Sequence, residues 1–206
     1  MGFLGKILSK LFKPNKLGNE IEVKESFGIQ MTDEEIEAEK IFNDEVLKIL
    51  ESRMIESGYL KKEKIPSIVE QLRCHSVPFG RVNTKVLFKG EIFLSVEEKK
   101  ALGLNTRMKY SKEFIEYFNP SCFSDIEPKT AIEDMHLDAF HRMSRKRQIL
   151  QFKQSRYIKK VRIKPDDCSH IKRLKKIYLL EEAPELPLLG CDAPYCRCYF
   201  EPVEPK

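Results

Sequence analysis

The chain has 206 residues, 41% of them hydrophobic and 33% charged, with a formal net charge of +5, a size that suits one domain or one domain with a small appendage. With no tryptophan, nine glycines and no repeat, the composition excludes collagen-like and low-complexity classes. The mild average hides three segments of different sign: residues 1–16 carry four lysines and no acid, 20–70 carry 14 acids against 7 bases, and 142–176 carry 14 bases against Asp166 and Asp167. Such a basic segment is the better guide to partners.

No apolar run reaches about 18 residues, so no membrane-spanning helix is expected. No small-residue cleavage site follows the N-terminal apolar stretch, and a cytoplasmic protein with reduced cysteines is expected. Residues 1–13 read as an amphipathic helix: Phe3, Leu4, Ile7, Leu8 and Leu11 share helical spacing beside Lys6, Lys10 and Lys13. Such a helix docks on a membrane surface, on a partner or on the protein's own core. Lys6 occupies the place where a myristoylation signal needs Ser or Thr.

Residues 14–30 are polar, lack periodicity and read as a linker. Thr32 with Glu35 forms the pattern of a capping box. It opens a helix whose apolar stripe (Ile36, Phe42, Val46, Leu47, Leu50, Met54) runs to Ser57, with Gly58 as the stop. A second helix is expected over 66–74. Two short apolar runs around Lys89-Gly90 predict a β-hairpin near 84–94. Ser95 with Glu98 opens another capped helix ending near Gly103, and Ser111 starts one stopped by Pro120; this pair is a weak candidate for a helix-turn-helix. A long helix is expected over 131–154, and the alternation of YIKKVRI predicts a strand over 157–163.

The six cysteines are unevenly placed. Cys74 and Cys122 are isolated and read as core thiols, whereas Cys191, Cys196 and Cys198 fall within eight residues and Cys168 follows the predicted strand. Zinc takes four thiolate or imidazole ligands in a tetrahedron, so Cys168, Cys191, Cys196 and Cys198 are candidate ligands of one structural ion, with His170 as an alternative. The spacing departs from paired C-x-x-C motifs. A redox-active thiol pair beside Arg197 is the main alternative; a disulfide is disfavoured by the reducing compartment, and reduced core cysteines would not explain three thiols beside Asp192 and Arg197. A structural zinc would hold a tail with few large apolar side chains of its own.

Residues 157–203, and above all Ala183, Pro184, Leu186, Pro187, Leu188, Cys191, Cys196, Cys198 and Tyr199, resemble the tail of a family of uncharacterised bacterial proteins. That resemblance carries no activity. The order of elements is also similar to the C-x-C tail of phage head-morphogenesis proteins, although Ile171 stands where their second cysteine belongs.

Beside the cysteines, Arg142, Arg145, Lys146, Arg147, Lys153, Arg156, Lys159, Lys160, Arg162, Lys172, Arg173, Lys175 and Lys176 form a candidate stripe for nucleic-acid phosphates or an acidic partner. The same charges could instead pair with the acidic helices of 20–70. No HExxH, phosphate-binding loop, GxSxG or dinucleotide fingerprint occurs, and a four-thiolate site leaves no open position for substrate, so catalysis is not expected.

The expected fold class is α+β: mostly helical, with a short β-hairpin or small sheet and a cysteine-rich, zinc-held tail. The boundaries fall at 1–13 (amphipathic helix), 14–30 (linker), 31–156 (mainly helical domain) and 157–206 (basic strand and zinc-binding tail). The expected function is that of a non-catalytic zinc protein whose basic C-terminal half binds nucleic acid or an acidic partner. The alternatives are a protein-interaction or membrane-peripheral adaptor using the N-terminal helix, and an enzyme with a site of another kind. No small-molecule substrate is indicated.

Overall fold

The computed structural model describes residues 24–26, 29–75, 82–164, 177–191 and 193–203. It is a mixed α and β structure in which helices predominate and one three-stranded antiparallel sheet forms near the C-terminus. The described chain separates into two compact units. The central unit spans Asn43–Phe140, and the C-terminal unit joins the chain up to Phe42 with His141 onward. This division cuts through two long helices, whereas the sequence alone suggests boundaries at residues 30 and 156.

Strands β1 (Lys24–Ser26) and β2 (Ile29–Met31) pair antiparallel, with Lys24 opposite Met31. The stretch expected to be a linker therefore contains one strand and enters a second. Helix α1 (Asp33–Ser57) starts at the predicted capping box: the Glu35 amide donates to Thr32 Oγ1 at 3.1 Å and the Thr32 amide donates to Glu35 Oε2 at 2.9 Å. Asp33, Glu34 and Glu35 in its first turn complement the positive end of the helix dipole. The helix ends at Gly58, whose φ of +68° is a conformation that glycine adopts without a side-chain clash.

In the central unit, α1 buries Val46, Leu47, Leu50 and Met54, and α2 (Ile65–Cys74) buries Ile65, Ile68, Val69 and Leu72 at helical spacing. Phe114, Phe118 and Phe123 extend this core with edge-on and tilted ring contacts at centroid distances of 5.3 and 6.1 Å. Cys122 is buried as expected. Cys74 is exposed at the end of α2, off its buried face, with its thiol 3.3 Å from Glu70 Oε1. Asp138, almost fully buried, pairs with Arg53 at 3.0 Å.

The hairpin expected near 84–94 is absent. Thr84–Phe88 is a 3-10 helix that buries Thr84, Val86 and Leu87, and the Asn83 side chain caps it by accepting from the Lys85 amide. Those burials do not alternate as a strand requires. Gly90 also serves a purpose other than a hairpin turn: a Cβ built there would stand 2.4 Å from Ser111 Cβ, so glycine is what lets the backbone approach Ser111. The following segment pairs with residues 110–112 instead, through a bridge between Phe93 and Ser111. Helix α3 (Val96–Ala101) has the full Ser95–Glu98 capping box. Helix α4 (Lys112–Ile115) is one turn long, too short for the recognition helix of a helix-turn-helix.

Helix α5 (Pro128–Gln154) begins at Glu127, whose carboxylate accepts from the Thr130 amide and hydroxyl, both at 2.7 Å. In the C-terminal unit, β3 (Lys160–Lys164) is the middle strand between β4 (Ile177–Leu179) and β5 (Tyr199–Val203), antiparallel to both. Its start lies three residues beyond the predicted one, leaving Tyr157 outside the sheet and 81% exposed.

Candidate nucleic-acid interface

Strand periodicity gives the sheet two unlike faces. Val161 and Ile163 of β3 and Phe200 of β5 point inward and form one apolar cluster with Leu180, Leu186, Cys196 and Cys198. Ile149 and Phe152 from the last turns of α5 pack against this cluster. The opposite face carries the alternate residues Lys160, Arg162 and Lys164. Register places Lys160 opposite Leu179 and Val203, Arg162 opposite Ile177 and Glu201, and Lys164 opposite Tyr199. A row of three cations is thus flanked by Leu179, 43% exposed, and Tyr199, 47% exposed. The one acid in this register, Glu201, reaches Lys164 at 3.6 Å and Arg162 at 3.8 Å. Such long, solvated pairs hold little energy.

The predicted basic stripe divides into groups with different surroundings. Lys153, Arg156, Lys159 and Lys160 are exposed, and among the described residues none of them forms an ion pair. Arg147 turns inward to Glu39, at 2.5 Å, and lies over the Phe42 ring with its guanidinium carbon 3.7 Å from the centroid. Arg145 is buried: Nε donates to the Cys198 carbonyl at 2.7 Å and Nη2 donates to the Cys196 carbonyl. These two arginines are fasteners of the fold, and the solvent-facing stripe expected from the sequence does not include them. Lys172, Arg173, Lys175 and Lys176 lie outside the described residues, as do Phe3, Leu4, Ile7, Leu8 and Leu11 of the N-terminal helix.

Of the candidate metal ligands, Cys168 and His170 also lie outside the described residues. Cys196 and Cys198 enter the apolar cluster from the same side of one extended segment, alternating with exposed Arg197, and Cys191 packs at the edge of that cluster. All three thiols are free of disulfides. Among the described residues, no three His, Cys, Asp or Glu side chains converge as a group able to hold a metal ion. Beyond the cluster, His141 stacks on Tyr195 at 5.9 Å, and the Arg197 guanidinium donates to the Tyr195 hydroxyl at 2.7 Å.

One feature of the unit was not read from the sequence. A cavity of about 500 Å³ opens between α5 and the segment Ala183–Leu186. Arg142, Arg145 and Lys146 stand on its helix wall, followed one turn later by Ile149 and Leu150. The signal was present as an i, i+3, i+4, i+7, i+8 pattern, but the run of positive charge invites a solvated reading until an opposing wall is seen.

No helix among the described residues is long and apolar enough to cross a membrane. No protein-family model, no curated protein and no solved structure matches the chain.

Proposed function

We propose that the C-terminal unit is a non-catalytic nucleic-acid-binding module that uses the outer face of its sheet. The observation that carries this reading is the register that sets Lys160, Arg162 and Lys164 in one row with Tyr199 and Leu179 exposed on either side. Closely spaced cations neutralise successive phosphates, and an exposed aromatic ring beside them offers a surface on which a base stacks. An acidic protein partner would use the charge and leave the flanking ring unexplained. Lys153, Arg156 and Lys159, exposed just before β3, lengthen the basic track.

The structural part of the reading is zinc. Cys191, Cys196 and Cys198 share one apolar cluster, and Lys164, opposite Tyr199, precedes Cys168 by only four residues in the chain. Cys168 as fourth ligand would close a thiolate site beneath the basic face, drawing the described thiols together on binding.

The test is fluorescence anisotropy of labelled single-stranded and double-stranded oligonucleotides over a salt series. Binding at low salt should weaken with a log–log slope of roughly −3, for about four single-strand phosphates neutralised. The double variant Lys160→Glu, Lys164→Glu should abolish it while the thermal unfolding midpoint stays in place. Absence of binding at the lowest salt, for DNA and RNA alike, would overturn the reading.

A further inference from the structure

We propose that the cavity between α5 and the Ala183–Leu186 segment binds a small amphipathic anion, a carboxylate or phosphate carried on a compact apolar body. The inference is independent of the nucleic-acid reading, which uses the outer face of the sheet. The cavity's volume of about 500 Å³ falls in the range of small-molecule sites.

Its lining is polarised along the helix. Arg142 comes first, Arg145 and Lys146 follow about one turn later, and Ile149 and Leu150 about one turn after those, each step a displacement of about 5.4 Å along the axis. Pro184 and Leu186 face them from the opposing segment, and Phe200 contributes an aromatic surface. One end of the space therefore attracts negative charge and the other offers only apolar contact. This division matches an amphiphile and suits neither a bare ion nor a neutral hydrocarbon.

The three cations are not equivalent. Arg145 is held by the carbonyls of Cys196 and Cys198, so its charge is fixed beside the cavity while its donors point into the protein. Lys146 is adjustable. Its amine lies 3.8 Å from Glu185, with the two side chains 54% and 79% exposed. Glu185 is the one carboxylate on the cavity wall among the described residues. A loose, solvated pair of this kind gives way easily. The ligand's head group takes the place of the Glu185 carboxylate at Lys146, with Arg142 one turn back on the same helix face adding a second positive charge. Glu185 thus acts as an internal competitor whose removal strengthens binding.

Isothermal titration of the full-length protein with octanoate, octyl phosphate, octanol and inorganic phosphate tests this directly. Octanoate and octyl phosphate should bind saturably at one site, and their ratio states which head group is preferred. Octanol and inorganic phosphate should bind at least about tenfold more weakly. Lys146→Glu should weaken octanoate roughly tenfold and Glu185→Gln should strengthen it severalfold. Both positions are exposed, so the fold tolerates them, and a thermal melt checks this. Ala183→Leu, which adds bulk to the cavity wall, should weaken octanoate while leaving oligonucleotide binding unchanged. Equal affinity for octanoate and octanol, equal affinity for octyl phosphate and inorganic phosphate, or indifference of octanoate to both charge variants would each overturn the proposal.

Discussion

Arg145 holds together residues more than fifty positions away in the chain. Its guanidinium satisfies two carbonyls of the extended segment that carries Cys196 and Cys198, in a place closed to water. Removing it leaves two buried acceptors without donors, each costing up to a few kcal/mol. Arg145→Met should therefore lower the unfolding free energy by on the order of 3 kcal/mol in a urea titration. Glu127 makes a second prediction at this scale. Burial works to raise its pKa, but hydrogen bonds from the Tyr110 hydroxyl, at 2.7 Å, and from Thr130 and Lys129 outweigh that and hold it below the ordinary glutamate value. A depressed carboxyl contributes stability that is present above its unfolded pKa and is lost as pH falls through the folded one. Burial first, and the Glu127 hydrogen bond second, push the Tyr110 phenol well up, so it stays a donor across the working range. Glu127→Gln should cost about 1 kcal/mol at neutral pH, as for a lost helix cap. Its unfolding free energy should also fall less steeply than the wild type's between about pH 5 and 3.

At the scale of elements, the helices start where short-range hydrogen bonds make them start. Ser95 and Glu98 reciprocally bond each other's backbone amides, at 3.1 and 2.7 Å, and together set the first residue of α3. Ser95→Ala should destabilise the protein by about 1 kcal/mol, measured by denaturant unfolding. The segment around Gly90 follows a different logic, because its conformation depends on what it packs against. Gly90→Ala would drive a methyl into Ser111 and the Glu113 carboxylate, and should cost about 1–3 kcal/mol as overpacking.

For the whole molecule, the central unit carries a continuous core of helical and aromatic side chains. The apolar cluster of the C-terminal unit is smaller, seven buried residues of which two are cysteines. A small core of this kind gains most from a metal. The proposed zinc site predicts about one zinc per purified chain, lost in Cys196→Ser and in Cys168→Ser but retained in Cys74→Ser. Elemental analysis reads this directly. A protein that carries no zinc, and whose thermal melt is indifferent to chelator, would leave the cysteines as core thiols held by Arg145.

The amino-acid sequence by itself determined the starts and stops of α1 and α3, the existence of α2 and α5, and the concentration of positive charge after residue 141. Each rests on contacts within about four residues or on composition, and both are written along the chain. Only the tertiary structure decided which basic residues face water. Arg145 and Arg147 carry the same charge as Lys153 and Arg156, yet Glu39, Phe42 and the carbonyls of Cys196 and Cys198 draw the first two inward. The pairing of Lys164 with Tyr199, and the wall that turns one face of α5 into a cavity, likewise join residues some 35 or more positions apart. Such partners are chosen by which surfaces bury most apolar area together, and no local spacing records that choice.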